Sequence, residues 1–133
     1  MVESYRDLVA WQKAMNLVQG IYEATVELPT SEKFGLLSQL RRAAVSIPSA
    51  LAEGHARAST REFSHYISIA RGSLAEVETQ LLISKRLGFM RAGRVEDLLS
   101  QCDEQSRILR GLRKSLDDNL AAMPRKRALA PRP

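Results

Sequence analysis

The sequence predicts an all-α protein, an antiparallel up-down-up-down four-helix bundle, on three observations. Aromatic residues make up 5% of the 133 residues and glycine occurs 7 times, while Leu, Ala, Arg and Glu are plentiful, a composition that favours helices over sheets. Apolar residues recur at alternating steps of three and four along four segments. Proline, glycine or capping residues separate these segments, and helices of about 20 to 28 residues with short connections typically form such a bundle.

The first predicted helix begins at Ser4, whose hydroxyl can cap it, with Asp7 in the first turn. Two apolar rows lie side by side on this helix and make its apolar face broad enough for two neighbours. The first row is Leu8, Trp11, Met15, Val18, Tyr22 and Thr25, and the second row is Ala14, Leu17, Ile21, Ala24 and Leu28. Pro29 ends the helix.

The second predicted helix starts at a cap supplied by Thr30 or Ser31 and extends to about Gly54. Its apolar row is Leu37, Leu40, Ala44, Ile47 and Leu51. Pro48 cannot donate a hydrogen bond to the carbonyl of Ala44, so we expect a kink there, at a cost of about 3 kcal/mol if nothing compensates.

The third and fourth predicted helices have clearer ends. Ser59 and Glu62 fit a capping box that starts helix three, and Gly88 marks its end. Its apolar row is Phe63, Ile67, Ala70, Leu74, Val77, Leu81 and Ser84. Helix four follows the turn at Gly93 and carries Val95, Leu98, Cys102, Gln105, Leu109, Leu112 and Leu116 before it ends ahead of Pro124.

The domain prediction is one bundle over residues 1–123 and a disordered basic tail over residues 124–133. The tail supplies four of the five net positive charges, so the pI of about 9.8 is weak evidence for nucleic-acid binding. The chain starts without a signal-peptide pattern and has no apolar run of about 20 residues. We therefore expect a soluble, cytoplasmic protein, and the single cysteine is consistent with a reducing compartment.

No catalytic or metal-binding pattern is found in the sequence. His55 and His65 lack the cysteine or carboxylate spacing of a zinc site, and no glycine-rich phosphate loop is present. Cys102 lies in an apolar row without a basic neighbour that would activate it, so we interpret it as a core residue. The expectation is a protein that is not an enzyme and has no metal and no cofactor.

Two faces remain outside the predicted core. Helix two carries the polar row Gly35, Gln39, Arg42, Ser46, Ser49 and Glu53, which fits either an ordinary solvated face or a protein contact surface. Helix three carries the row Ser64, Ser68, Gly72, Ala75 and Thr79, whose small side chains would let another helix come close. This contact could be within the bundle or between subunits, and the sequence leaves both open.

Basic residues are concentrated along helices two and three. The candidate nucleic-acid-binding residues are Arg41, Arg42, Arg57, Arg61, Arg71, Lys85 and Arg86. They could neutralise phosphates without reading base sequence, or they could instead pair with Glu53, Glu62, Glu76 and Glu78. Trp11, Tyr22 and Tyr66 are too scattered along the chain to predict a base-stacking platform.

Several segments resemble a known family, the bacterial four-helix bundle proteins called 23S rRNA intervening sequence proteins. The resemblance covers about residues 5–120. The segments that carry it are YRDL at 5–8, WQKAM at 11–15, FGL at 34–36, QLRRAAVSIPS at 39–49, AEG at 52–54 and ARGSLAEVETQL at 70–81.

The resemblance implies an antiparallel four-helix bundle that assembles into a homopentameric ring. It also implies a relationship to the accessory variability determinant proteins of diversity-generating retroelements, which bind nucleic acid and a reverse transcriptase. On this view the outward face of helix two and the small row of helix three become candidate oligomer contacts. These candidates are Arg42, Ser46, Ser49, Glu53, Ser68, Gly72, Ala75 and Thr79.

The leading hypothesis for function is a non-enzymatic, oligomeric bundle that binds RNA or DNA through clustered arginines with little sequence preference. The alternative is a protein–protein interaction module or scaffold with no nucleic-acid role. Salt dependence separates the two, because phosphate binding weakens steeply as salt rises and an apolar contact does not.

Overall fold

The computed structural model describes residues 4–122, and the chain forms four α-helices and no strand over this range. The helices are α1 (Val9–Thr25), α2 (Leu36–Ala56), α3 (Thr60–Arg86) and α4 (Ala92–Ala122), with short 3-10 turns at Tyr5–Asp7 and Thr30–Glu32. Each helix packs against two others, α1 and α3 both contacting α2 and α4. The predicted all-α, four-helix fold is confirmed, and the predicted tail at 124–133 lies outside the described residues.

The packing of α2 against α3 is the most extensive helix contact. Near the start of α2, Gln39 Oε1 accepts a hydrogen bond from Gln80 Nε2 at 3.3 Å, close to the end of α3. Further along α2, the hydroxyls of Ser46 and Ser73 are hydrogen-bonded at 2.5 Å. Gln39 comes before Ser46 along α2, whereas their partners occur in the reverse order along α3, with Ser73 before Gln80. The up-down-up-down topology of the whole bundle and its closure into a ring stay predictions.

The core uses the second apolar row of α1, not the first. Ala14, Leu17, Ile21, Ala24 and Leu28 are buried, as is Ala10. Of the first row only Thr25 is buried, whereas the other members are half-buried or exposed, with Trp11 and Val18 packed against the core. Small side chains let α1 approach its neighbours closely, while the large amphipathic ones lie at the border of the core.

The other three helices bury most of the rows that their spacing predicts, and the row members Leu37, Phe63, Leu112 and Leu116 are half-buried. Buried members are Leu40, Ala44, Ile47 and Leu51 of α2, Ile67 to Ser84 of the α3 row, and Val95, Leu98, Cys102, Gln105 and Leu109 of α4. Gln105 is a polar member of this core, and its Nε2 donates a hydrogen bond to the backbone oxygen of Ala10 at 2.9 Å. A buried amide at this position therefore joins α4 to α1.

Two predicted helix starts are displaced in the structure. The Ser4 hydroxyl accepts a hydrogen bond from the amide of Arg6, but it caps only the 3-10 turn at Tyr5–Asp7, and α1 begins at Val9. Thr30–Glu32 is also a 3-10 turn, and α2 begins after Gly35. The Glu32 carboxylate accepts the amide hydrogen bond of Leu36 at 3.1 Å, so a residue four positions upstream satisfies the first turn of α2.

The ends of α3 match the sequence prediction. Ser59 Oγ accepts a hydrogen bond from the amide of Glu62 at 3.0 Å, which confirms the cap. Gly88 has φ of 72°, the left-handed conformation that glycine adopts without strain just after a helix. At α2, the helix continues through buried Pro48 to Ala56, and the kink stays a prediction.

Glu27 holds the end of α1 to the connection between α3 and α4. Its carboxylate accepts hydrogen bonds from the backbone and side chain of Arg91 and from Nε of Arg94. Burial opposes ionisation of Glu27, but the hydrogen bonds from Arg94 and Arg91 outweigh it, so the pKa of Glu27 is lowered. This end of the bundle is therefore fixed by a charged cluster.

Gly54 marks a close contact between α2 and α3. A Cβ atom on Gly54 would lie 2.5 Å from Cβ of Tyr66 and 3.1 Å from Cδ1 of Phe63. Because the Tyr66 Cβ is fixed to the backbone of α3, it cannot move aside without moving the helix. Glycine at this position sets the distance between the two helices.

We expect the substitution Gly54→Ala to destabilise the protein by about 1 to 3 kcal/mol, since the added methyl group overpacks the contact between α2 and α3. Gly111→Ala is the matched control, because a Cβ on Gly111 meets no atom within 4 Å. That change should stabilise α4 by about 0.5 to 1 kcal/mol. Urea-induced unfolding followed by circular dichroism measures both. Equal effects of the two substitutions would contradict the close contact at Gly54.

Candidate functional site

Two of the seven candidate cations form ion pairs with carboxylates. Arg57 contacts Glu53 at 2.9 Å and Glu62 at 3.9 Å, and Lys85 contacts Glu96 at 2.7 Å. The hydrogen bond from Arg57, followed by that from Tyr66, lowers the pKa of Glu53. Arg57 therefore pairs with two of the acids named in the alternative hypothesis, whereas Lys85 pairs with Glu96, which was not among them.

Arg42, Arg61, Arg71 and Arg86 are exposed, and no carboxylate among residues 4–122 lies within 4.0 Å of them. They do not form one patch. Arg71 lines a groove towards α4 and Arg86 lies beside Leu82 on α3, whereas Arg42 lines a cavity beside Phe34. The seven predicted residues are therefore divided among separate surfaces.

Arg41 is held in place by its neighbours on α1. Its guanidinium carbon lies 4.4 Å from the centroid of the Tyr22 ring, a cation–π contact. Nε donates a hydrogen bond to Thr25 Oγ1 at 2.9 Å, and Nη2 donates to the Tyr22 backbone oxygen at 3.4 Å. The side chain is thus ordered without an acidic partner.

Phe34 is the most exposed large apolar residue of those the structure describes, at 90%. The Nζ atom of Lys33 lies 5.5 Å from the centroid of its ring. Tyr22 is 41% exposed and lines the same cavity, which has a volume of about 460 Å³ and is completed by Leu37, Ser38, Val45, Arg41 and Arg42. We call Tyr22, Lys33, Phe34, Arg41 and Arg42 the aromatic–basic surface.

The aromatic–basic surface combines three cations with two exposed aromatic rings, and no acidic residue lines its cavity. Exposed aromatic faces stack on nucleobases, and cations alongside them contact phosphates. Of its five members, the sequence analysis identified only Arg41 and Arg42. The available signal was Phe34 itself, an aromatic residue outside every apolar row and next to Lys33.

The candidate oligomer contacts on α2 lie in different environments. Glu53 is engaged with Arg57 and Tyr66, and Ser46 is bonded to Ser73, so the α2 row is partly an intrachain contact with α3. Ser49 is exposed. The expectation that this row faces away from the core as a whole is therefore wrong at Ser46, because the row borders the groove between α2 and α3.

The small row on α3 separates into two parts. Ser64 donates a hydrogen bond to the Asp117 carboxylate and Ser68 accepts one from Arg113, so both contact α4. Gly72, Ala75 and Thr79 are exposed, and a Cβ on Gly72 would meet no atom within 4 Å. Close packing within the chain does not explain Gly72.

Titratable residues form no metal-binding group of three within residues 4–122, and no helix in this range is long and apolar enough to cross a membrane. Cys102 is fully buried, as expected for a core residue. Burial, followed by the nearby charges of Glu78 and Asp103, raises the pKa of the Cys102 thiol to about 12. The thiol is therefore protonated and poorly nucleophilic at neutral pH.

Comparison with known proteins identifies similar chains. The family model described as 23S rRNA-intervening sequence protein matches residues 6–111. A crystal structure at 1.70 Å of a protein with unknown function, from the S23 ribosomal protein family of Bacteroides thetaiotaomicron VPI-5482, superposes with a TM-score of 0.74. It is 21% identical and covers 80% of this chain and 99% of its own, which shows a shared fold. No curated protein matches the chain.

We expect Cys102 of the native protein to react with a disulfide reagent at pH 8 about a thousandfold more slowly than in the unfolded chain. The thiolate fraction falls by this factor when the pKa rises from 9.0 to about 12. Absorbance of the released thiol, with and without denaturing urea, measures the two rates. Similar rates in both states would contradict the burial of this residue.

Proposed function

The chain belongs to the 23S rRNA-intervening sequence protein family, and on this basis we propose that it is a non-enzymatic, oligomeric helical bundle that binds RNA or DNA. Binding is to unpaired nucleotides and has little sequence preference. The protein acts in the cytoplasm, consistent with a single cysteine that cannot form an internal disulfide. The observation that supports this proposal best is the aromatic–basic surface.

Stacking is the first contribution to binding. The Phe34 ring is almost fully accessible, so one base can stack on it without prior rearrangement of the protein. Exposure of a phenyl ring to water is unfavourable, and a stacked base removes that exposure. Stacking is worth about 1 to 3 kcal/mol per base and is tolerant of sequence, because every base has a π face.

Charge is the second contribution. Arg41 is already ordered over Tyr22, so it loses little conformational freedom when a phosphate binds. Arg42 and Lys33 are exposed, and no carboxylate within the described range pairs with them, so a phosphate does not have to displace an acid. Such contacts attract the backbone without reading base identity.

Assembly into a homopentameric ring is part of the proposal and rests on the resemblance together with the outer face of α3. Gly72, Ala75 and Thr79 are exposed there. Thr79 also lines an apolar cavity of about 570 Å³, together with Leu82 and Ile83. Small exposed residues beside an apolar cavity suit close helix packing by another subunit. A ring repeats the aromatic–basic surface in every subunit and so raises the avidity for one long strand.

A protein-interaction module without a nucleic-acid role is the second candidate function. The observation that favours it is the exposure of Leu82, Ile83 and Leu87 at the end of α3, which another protein could cover. An apolar contact of this kind would be insensitive to salt. Binding measured as a function of salt therefore separates the two functions.

We expect Phe34→Ala to weaken binding to a fluorescently labelled uridine dodecamer by about tenfold, through loss of base stacking. Arg42→Ala should also weaken binding. It should reduce the slope of the logarithm of the affinity against the logarithm of salt concentration by about one, the value for one lost phosphate contact. Fluorescence anisotropy between 50 and 200 mM salt measures both effects, in the full chain and in a variant lacking residues 124–133.

Val9→Ala and Arg110→Ala are the matched controls for this experiment, since each removes an exposed apolar or basic side chain away from both the aromatic–basic surface and the proposed subunit contact. They should leave the affinity within about twofold of wild type. Loss of all binding on removal of residues 124–133, with Phe34→Ala silent in the full chain, would overturn the proposed site.

We expect the wild-type chain to have a mass in solution that is a multiple of its 14.9 kDa. Gly72→Glu should shift it towards the monomer, because the substitution places a charge on the exposed face of α3. Gly111→Glu is the control, as Gly111 is also exposed in the interior of a helix. Size exclusion with light scattering measures the masses, and a monomeric wild type at micromolar concentration would contradict the assembly.

A further inference from the structure

A polar groove between α2 and α3 lies next to the aromatic–basic surface. It has a volume of about 520 Å³, and the polar residues that line it are Gln39, Arg42, Ser46, Ser73, Glu76 and Gln80. Arg42 lines both this groove and the cavity beside Phe34. A nucleotide strand bound at the aromatic–basic surface would therefore reach the groove with its neighbouring base.

Gln80 is a buried polar side chain with an unsatisfied acceptor. It is 9% exposed, and its Nε2 donates a hydrogen bond to Gln39 Oε1 at 3.3 Å. Its Oε1 atom has no hydrogen-bond partner in the part of the chain that the structure describes. Buried polar atoms are nearly always paired, so this unpaired amide oxygen can accept a hydrogen bond from a ligand in the groove once rotation of the amide exposes it.

The remaining groups in the groove divide into donors and acceptors. The Glu76 carboxylate is exposed and has no cation within 4.0 Å among residues 4–122. Arg42 and the Nε2 of Gln39 are donors without an acceptor in that range. Ser46 and Ser73 are bonded to each other. The free groups are thus two acceptors, at Glu76 and Gln80, and two donors, at Gln39 and Arg42.

Guanine matches this arrangement better than the other bases do. Its Watson–Crick edge has two adjacent donors, the N1–H and the N2 amino group, followed by the O6 acceptor. Adenine and cytosine each have one amino group on that edge and uracil has one N3–H, so none of them offers the Glu76 carboxylate two adjacent donor groups. With any other base the hydrogen bonds to Glu76 and Gln80 are not all formed, so the binding free energy they contribute is smaller.

We propose that the groove between α2 and α3 binds an unpaired guanine. Glu76 accepts hydrogen bonds from N1–H and N2–H, Gln80 Oε1 accepts the second hydrogen of the N2 amino group after a small rotation of its amide, and Arg42 or Gln39 donates to O6. This inference rests on the proposed nucleic-acid binding and adds to it a preference for one base at one position.

Fluorescence anisotropy with the full chain tests the preference. The probes are labelled uridine dodecamers that carry one central guanosine, inosine or adenosine. Inosine keeps N1–H and O6 but lacks the N2 amino group. The difference in affinity between the guanosine and inosine probes therefore measures the contribution of that amino group. We expect the guanosine probe to bind about tenfold more tightly than the other two.

Glu76→Gln should remove this difference, because the amide replaces one acceptor atom with a donor. Glu104→Gln is the control, since Glu104 is a partly exposed carboxylate on α4 that lies outside the groove. The control should keep the tenfold preference. Circular dichroism confirms that both variants are folded.

Three results would overturn the inference. Equal affinity of the wild type for all three probes overturns the guanine site but leaves the proposed function intact, whereas no binding to any probe overturns both. If Glu76→Gln changes the mass in solution and leaves the base preference as in wild type, the groove is a subunit contact and not a base site.

Discussion

The close packing of α2 against α3 is the constraint on which the rest of the structure depends. Gly54 allows the two backbones to approach, and the bond between Ser46 and Ser73 fixes their register further along. Apolar burial alone does not specify register, since leucine rows tolerate sliding, whereas a glycine contact and a hydroxyl pair do not. The position of every side chain along the α2–α3 groove follows from these two contacts.

This register determines which charged and polar groups form ion pairs or hydrogen bonds within the chain. Arg57 meets Glu53 and Lys85 meets Glu96, so their charges are compensated at the protein surface. Arg42 lies at a level of the bundle where no carboxylate within residues 4–122 comes within 4.0 Å. The uncompensated cations, not the overall positive charge, are therefore relevant to a polyanion.

Local contacts and helix packing together produce the aromatic–basic surface. Phe34 lies in the irregular segment before α2, where no apolar row can draw it into the core, and Tyr22 lies at the border of α1. The packing of α1 against α2 brings Arg41 over Tyr22. Tyr22 and Arg41, which are far apart in the sequence, thus lie in one site. The same packing places Arg42 where it lines both this site and the groove between α2 and α3.

The sequence by itself determined the four helices, the cap at Ser59, the turn at Gly88 and the buried rows of α2, α3 and α4, because each depends on residues a few positions apart. It did not determine which row of α1 is buried, since both rows are apolar and only the neighbouring helices select one. Nor did it show Tyr22 beside Arg41 or Gln80 beside Gln39. Those pairs depend on distances between helices, which the tertiary structure decides through glycine and hydroxyl contacts that leave no periodic signal in the sequence.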